Sequence, residues 1–485
     1  MKKIYISIFA LSTYIFSGCS NEFLDVEQTE SISTSDLALF NNNEGAKSFV
    51  TAIYSKFLDW NMSSFSWNGM SSIASDDADK GSSPGDTGTD KDLMDALTFN
   101  ASSLSVEEVF IANYEGINRC NQALNIIPQL TNADSDLRAQ LIGETKFLRA
   151  FMYFTLVKCY GGVPVIDHVP NPSSDTDRIM QLTRKSEADV YTFIESDLSD
   201  AIATLPNKSA YSASEKGRVS LGAAHALLAK VSLYQKNWQK VIDNCNLVSG
   251  YSLASNYATL FQLTGENNNE SIFEIQGVGT TPAKGIQGYS ATQGARGAGG
   301  WGWGFNTPSL SLVNAYEAGD TRKNATIIFS GTTLYDGRNV PTTVENPRYN
   351  LKAYSSSYTD GWETDANIKY LRYAEVLLMK AEALNELGQT TEAIPLLNQI
   401  RNRAGLANTT AASQADVRVV IWKERRVELA FEHDRFFDLV RTNQALSAFA
   451  ADGKTFVVGK HEHFPIPQKF ISQANGLCSQ NSGYN

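Results

Sequence analysis

Three groups of residues in this chain have the types and spacing that chemistry needs. The first is a run of acids, Glu424, Glu428 and Glu432, repeating every four residues. On one helix they share a face, with Arg425 three before Glu428 and Arg435 three after Glu432, so neutralising pairs are at hand. Cleaving a glycosidic bond requires instead two carboxyls facing each other across the sugar, about 5–10 Å apart. Acids in a row do not supply that geometry, and the block reads as a structural charge network. The second group is a set of rings in loop-like stretches. A flat ring can cover the apolar C–H face of a pyranose or furanose while polar side chains at the rim satisfy the hydroxyls. Trp67 lies in Ser66-Trp-Asn-Gly69, Tyr289, Trp301 and Trp303 share a glycine-rich stretch with Arg296, and Trp362 follows Gly361. Trp67, Tyr289, Arg296, Trp301, Trp303 and Trp362 are therefore the candidate ligand-binding residues; the alternative for each ring is packing against the body of the protein. Glycine beside tryptophan in residues 300–304 lets that loop present rings without steric hindrance. Trp238 and Trp422 fall in helical patterns and read as core.

The third group comprises candidate metal ligands. Asp76, Asp77, Asp79, Asp86 and Asp90 could line a sugar rim or hold calcium. The spacing fails the EF-hand pattern, because Gly88 stands where the bidentate Glu belongs, and a solvated acidic loop is the expectation. His461 and His463 flank Glu462, but a third ligand is missing and no metal is assigned. The Gly297–Gly304 segment lacks the lysine and following helix that phosphate binding requires. No catalytic triad order, zinc-protease motif, Walker loop or dinucleotide fingerprint is present, so no catalytic residue and no cofactor is assigned.

The elements that must position these residues are mostly helical. Glu44–Trp60, Val106–Ile127, Asp134–Tyr160 and Glu187–Leu205 have helical periodicity. On Asp134–Tyr160, Phe147, Phe151, Phe154 and Val157 lie on one side and Leu148, Met152 and Cys159 on another, so both faces should be buried. Val219–Tyr234 with Trp238–Val248 and Ile368–Leu387 with Thr391–Ala404 form two helix pairs. Ala229, Val231, Val241 and Ile242 match Ala381, Ala383, Ala393 and Ile394 at a constant offset of 152 residues, a similarity to the tetratricopeptide hairpin, whose units bury their apolar faces by stacking. Gln414–Arg441 is one more helical stretch. Asn61–Leu104 reads as loop with short strands, and Gln276–Phe305, with ten glycines, cannot be a regular helix.

Composition narrows the function classes. The chain has 485 residues, 41 Lys and Arg against 52 Asp and Glu, and a formal charge of −11. Such an acidic body does not hold nucleic-acid phosphates, which need a basic face. The N-terminus carries Lys2 and Lys3, an apolar run from Ile4 to Phe16, then Ser17, Gly18 and Cys19. This is a secretory signal whose cleavage leaves Cys19 first, the bacterial lipoprotein pattern, with Phe16 where leucine is more common. The apolar run is too short to span a bilayer. Cys120, Cys159, Cys245 and Cys478 remain; with no CxxC and no histidines at ligand spacing they read as buried thiols, with a disulfide left open in an exported chain.

Four blocks carry a resemblance. They are Ile421-Trp-Lys-Glu-Arg-Arg-Val-Glu-Leu-Ala-Phe-Glu-His-Asp-Arg-Phe-Phe-Asp-Leu439, Leu148–Leu156 followed by Tyr160-Gly-Gly-Val-Pro164, Tyr370–Glu382, and Phe464-Pro-Ile-Pro467 followed by Gln480–Tyr484. In this order, together with the lipoprotein signal, they resemble the SusD/RagB family of outer-membrane nutrient-binding lipoproteins; His433 and Phe436 stand where that family commonly has Gly and Trp. The resemblance implies a mainly α fold, a solenoid of tetratricopeptide-like helix hairpins with loop-rich insertions and short strands. It implies a signal peptide over residues 1–18, a lipid-anchored tether over 19–43 acylated at Cys19, and a single domain over 44–485 with ligand-binding insertions near 60–104 and 276–365. It further implies a cell-surface, non-catalytic protein of the outer membrane that captures oligo- or polysaccharide and delivers it to a partner TonB-dependent transporter. The alternatives are an exported helical scaffold for peptides or another nutrient and, more remotely, a glycoside hydrolase.

Overall fold

The computed structural model describes residues 34–279, 284–355 and 363–484. The expected signal peptide, Cys19, most of the tether and Trp362 lie outside the described residues. Asp134 starts the central helix: its carboxylate accepts hydrogen bonds from the backbone N–H groups of Asp136 and Leu137. The helix runs Ser135–Tyr160 and stops at Gly161, where φ is +69°. Phe147, Phe151, Phe154 and Val157 are buried, and so are Leu148, Met152 and Cys159, so both faces are covered as their spacing predicts. Leu104–Ile126 packs on one side of this helix and Glu187–Thr204 on the other, the latter opened by a reciprocal Ser186–Asp189 capping box.

Each successive helix packs on the one before it. Glu187–Thr204 meets Leu221–Tyr234, which turns back as Trp238–Leu247; that helix meets Tyr373–Glu386, which turns back as Thr390–Arg403. Gln414–Leu429 closes the series. The two hairpins related by 152 residues are therefore neighbours in space, and residues 248–372 leave the helical stack between them and return to it. The fold is the mainly α arrangement of stacked hairpins that the sequence pattern implies. Short antiparallel strand pairs decorate it: Ala78–Gly81 with Phe305–Pro308, Ser271–Ile275 with Ile368–Arg372, Ile286–Gln287 with Glu363–Thr364, and Ile327–Phe329 with Arg348–Asn350.

Several expected elements differ. The stretch from Ile368 begins as a strand and becomes helix only at Tyr373; Lys369 is buried on Glu274 of the paired strand at 3.0 Å, a partner that no local periodicity reveals. The expected helix over 414–441 breaks after Leu429 and resumes at Arg435, because Phe431 and His433 take positive φ. The presumed loop over 61–104 folds into short helices over Trp60–Ser63, Phe65–Asn68 and Asp90–Asp95, a π turn over Gly69–Ile73 and a strand, and nearly all of Met62–Ala78 is buried. The four described cysteines are buried free thiols; burial pushes Cys245 up to about 12 and Cys478 up to about 11. Among the described residues no helix is long and apolar enough to cross a membrane.

Candidate functional site

The two insertions meet. Strand Ala78–Gly81 of the first pairs with Phe305–Pro308 of the second, the Gln287 backbone N–H donates to the Leu58 carbonyl at 3.0 Å, and the Trp60 N–H donates to the Gln287 side chain at 3.3 Å. The glycine-rich segment between Gly294 and Gly304 doubles back on itself: Trp301 N–H and Gly302 N–H both donate to the Ala295 carbonyl, Trp303 N–H to Ala291 and Gly304 N–H to Gly294, all at 2.7–2.9 Å. A Cβ on Gly302 would fall 2.5 Å from the Gly294 Cα, so close backbone approach requires glycine there. The fold of the turn leaves Trp303 42% exposed. Its ring lies 6.0 Å from that of Trp60 at 60°, and Trp60 leans on Phe65 at 4.8 Å, which in turn meets Phe305 edge-on at 4.8 Å. Trp303 is thus a ring held at the surface from behind.

A polar cluster adjoins its backbone. The Arg296 guanidinium donates to the Ser82 hydroxyl at 2.6 Å, pairs with Asp86 and reaches Glu345 at 2.9 Å, and it lies within 3.5 Å of the Trp303 carbonyl. Hydrogen bonds from Ser82 and Arg296 hold the Asp86 carboxyl below its ordinary range. The rim therefore carries donors and acceptors whose charges are matched within the protein, suited to hydroxyl groups.

The remaining expected residues fall elsewhere. Trp67 is only 3% exposed; it stacks on Phe437 at 5.9 Å and 20°, with His433 at 5.9 Å. Tyr289 is 4% exposed inside the main core. Both rings are corrected from surface platform to core: each sits in a short helix over Phe65–Asn68 or Tyr289–Gln293 that packs inward. Trp301 is half-buried, edge-on to Tyr354 at 5.5 Å with the Arg338 guanidinium 5.1 Å over its ring, so it secures the turn that presents Trp303. Trp362 lies outside the described residues. Periodicity predicts one helix over Glu44–Trp60, which conceals Trp60; the observed helix ends at Lys56, and Asp59 starts a new short one. The pattern Asp59-Trp-Asn-Met-Ser-Ser64, rich in capping residues, is the signal of the break.

Asp76, Asp77 and Asp90 are paired rather than solvated. Asp76 and Asp77 are 1% exposed and bind Arg435 and Arg426 at 2.6 and 2.7 Å; Asp90 binds Lys91 at 2.8 Å. Among the described residues no three His, Cys, Asp or Glu side chains are placed to share an ion. His461 is buried against Phe99 and Phe456.

A family model described as "SusD family" matches residues 269–484, and one described as "Starch-binding associating with outer membrane" matches residues 22–233. The chain belongs to the SusD family. A SusD-like protein, P2, of Formosa agariphila is 28% identical over 408 residues, covering 76% of this chain and 79% of that protein. The starch-binding protein SusD of Bacteroides thetaiotaomicron is 24% identical over 469 residues, 81% of each chain. Among solved structures, a laminarin-binding SusD-like protein superposes with a TM-score of 0.76 at 29% identity, over 91% of this chain and 100% of that one. Surface glycan-binding protein A of Bacteroides thetaiotaomicron, in complex with laminarihexaose, shares the fold with a TM-score of 0.76 at 23% identity, over 91% and 99%.

The SusD block over Ile421–Leu439 acts on the site from below. Its acids do form a charge network, but with long-range partners instead of the local ones their spacing offers. Arg372 binds Glu270 at 2.6 Å, Glu428 at 2.9 Å and Glu432 at 2.6 Å; Arg322 reaches Asp320, Glu424 and Glu428; Arg403 reaches Glu270 and Glu428. Burial by itself raises the Glu428 carboxyl, and the guanidiniums of Arg403, Arg372 and Arg322 overcome this and hold it far below the usual range. Arg425 turns to Asp438 and Glu375, while Arg426 and Arg435 clamp Asp77 and Asp76, the two residues that precede strand Ala78–Gly81. In this SusD-family chain the block therefore anchors the strand whose partner, Phe305–Pro308, follows Trp303.

Proposed function

We propose that this protein is a cell-surface lipoprotein of the outer membrane that captures oligo- or polysaccharide without cleaving it and delivers it to a TonB-dependent transporter. In this reading residues 44–485 form one domain, tethered through acylated Cys19. The observation that carries the binding step is the surface-held Trp303 ring, braced by Trp60, with Arg296, Asp86, Ser82 and Glu345 clustered beside the Trp303 backbone. An indole face gives area to a sugar's C–H groups, and a charge-matched polar rim gives hydrogen bonds to its hydroxyls. The similarity to a laminarin-binding relative supports a neutral glycan, and the family description supports the outer membrane. The burial of Glu424, Glu428 and Glu432 on guanidiniums supports the non-catalytic role, since ion-paired core carboxylates do not face a substrate.

Titration calorimetry against laminarin, starch and a panel of other polysaccharides tests the reading, with a mixture of peptides as the competing class. A glycan response is expected, with the sugar recovered intact. Peptide binding with no response to any glycan overturns it. Membrane fractionation of a Cys19→Ala variant tests the anchor, with release from the membrane expected. Co-purification of a TonB-dependent barrel with the tagged wild type tests the partner.

A further inference from the structure

A second cleft, whose lining does not include Trp303, lies between the Tyr257–Phe261 turn, the Arg322–Thr326 helix and the hairpin that follows strand Ile327–Phe329. It encloses about 400 Å³, within the range of small-ligand clefts. Its floor is apolar, from buried Ala325, Ile327, Ile328 and Leu334. Its rim carries the amides of Gln262 and Asn324 and the hydroxyls of Thr332 and Thr333, and the ring of Tyr335 stands at its edge, 45% exposed. None of the described side chains lining it bears a charge, in a chain of which 19% is charged residues. An ionic ligand would find no counter-charge here, and a purely apolar one would leave the Gln262 and Asn324 amides without hydrogen bonds; the Thr332 and Thr333 hydroxyls donate to the Phe329 carbonyl and the Asn339 side chain and keep lone pairs for a donor. A neutral, polyhydroxylated chain with apolar ring faces satisfies both surfaces.

The hairpin that carries Tyr335 is fixed. Leu334 N–H donates to the Arg338 carbonyl at 2.9 Å, Gly331 N–H to Val340 at 2.7 Å, and Thr333 and Asn339 form a bridge. Tyr335 meets Tyr354 at 5.8 Å, and Tyr354 meets Trp301 at 5.5 Å, two residues along the chain from Trp303. A continuous row of rings therefore joins the cleft to the loop described above.

We propose that this cleft is a second carbohydrate site, taking one segment of the neutral glycan whose adjoining segment lies on Trp303. The proposal rests on the glycan-binding reading. Two linked contacts on one polymer give tighter binding than either alone. The experiment compares wild type, Trp303→Ala, Tyr335→Ala, Asn324→Ala and the Trp303→Ala/Tyr335→Ala double variant by calorimetry against laminarin and starch, with thermal melts to verify folding of these surface variants. Tyr335→Ala is expected to weaken polymer binding about fivefold, the loss of one ring contact. Trp303→Ala is expected to keep a weak response that the double variant loses. If Tyr335→Ala and Asn324→Ala bind the polymer as wild type does and Trp303→Ala alone abolishes binding, the second site is overturned while the first reading stands. If wild type binds no polysaccharide of the wider panel, both fall; if it binds another member, the variants are compared on that polymer.

Discussion

The indole of Trp303 stands 6.0 Å from that of Trp60, so a ring in the glycine-rich turn is braced by a ring from the other insertion, more than two hundred residues earlier in the chain. Because Trp303 is 42% exposed and Trp67 only 3%, truncating them should have opposite signatures. Trp303→Ala is expected to weaken glycan binding roughly tenfold, about 1.4 kcal/mol, with little change in melting temperature. Trp67→Ala is expected to cost about 3–5 kcal/mol of stability, because it opens a cavity against Phe437 and His433. Calorimetry and urea unfolding on the two variants decide the matter; a stability loss for Trp303→Ala as large as that for Trp67→Ala would place Trp303 in the core instead.

The repeat makes a separate prediction about backbone strain. Lys236 and Gly388, 152 residues apart, occupy the turn of their hairpins with φ of +58° and +79°. A lysine in the left-handed region costs roughly 1 kcal/mol more than glycine. Lys236→Gly is therefore expected to stabilise the protein by about 0.5–1 kcal/mol, offset in part by the greater freedom of glycine in the unfolded chain. At Gly388 an added Cβ meets nothing within 4 Å, so Gly388→Ala should lose about 1 kcal/mol from conformation alone. Chemical denaturation of both variants, read against wild type, would show opposite shifts; shifts of the same sign would remove the equivalence of the two turns.

Much of the scaffold was legible because its signals are local. The bounds of the Asp134–Tyr160 helix and the 152-residue offset each depend on a few neighbouring residues, and each corresponds to an observed helix or hairpin. Several differences come from tertiary partners that periodicity does not encode. Lys369 enters a strand because Glu274 awaits it, and Asp76 and Asp77 leave solvent because Arg435 and Arg426 receive them. Trp67 resembles a turn residue in Ser66-Trp-Asn-Gly69, yet its short helix is packed under the block around His433 and Phe437. Of the candidate site, ring type and loop setting single out Trp301 and Trp303, of which the structure leaves Trp303 the more exposed, whereas nothing in the helical periodicity that runs through Asp59 distinguishes Trp60.

Glu428 is where the family block is expected to be least tolerant. It is fully buried and receives Arg322, Arg372 and Arg403, so Glu428→Gln leaves three guanidiniums short of a counter-charge. Breaking a buried ion pair from one side costs about 3–5 kcal/mol. The variant should unfold at correspondingly lower urea, yet bind glycan with unchanged affinity under conditions where it remains folded. Loss of binding in the folded variant would instead place this carboxylate in contact with ligand.

His433 makes stability depend on pH. It stands where the SusD pattern commonly has glycine, keeps a φ of +73°, and lies between Trp67 at 5.9 Å and Tyr370 at 5.2 Å. Ser71 lies 3.2 Å from its Nδ1, and among the described residues its Nε2 has no hydrogen-bond partner. Burial pushes the imidazole down to about 4; Asp434 and Glu432 favour its protonation, and Lys158 and Lys230 oppose it. The folded state therefore binds this proton less readily than the unfolded chain, whose histidine titrates near its ordinary value of about 6.5. The resulting stability is complete above about pH 6.5, falls as pH drops toward about 4, and levels off below that. From pH 7 to pH 5 the loss due to this one residue is expected to be about 2 kcal/mol. His461 and His463 are also held low, so the total slope of the wild type will be steeper. His433→Gln isolates the term: its unfolding free energy should fall by about 2 kcal/mol less than that of wild type over the same interval. Parallel pH profiles for the two proteins would mean that His433 carries its proton in the folded state, which would require Asp434 and Glu432 to outweigh the cost of burying the cation.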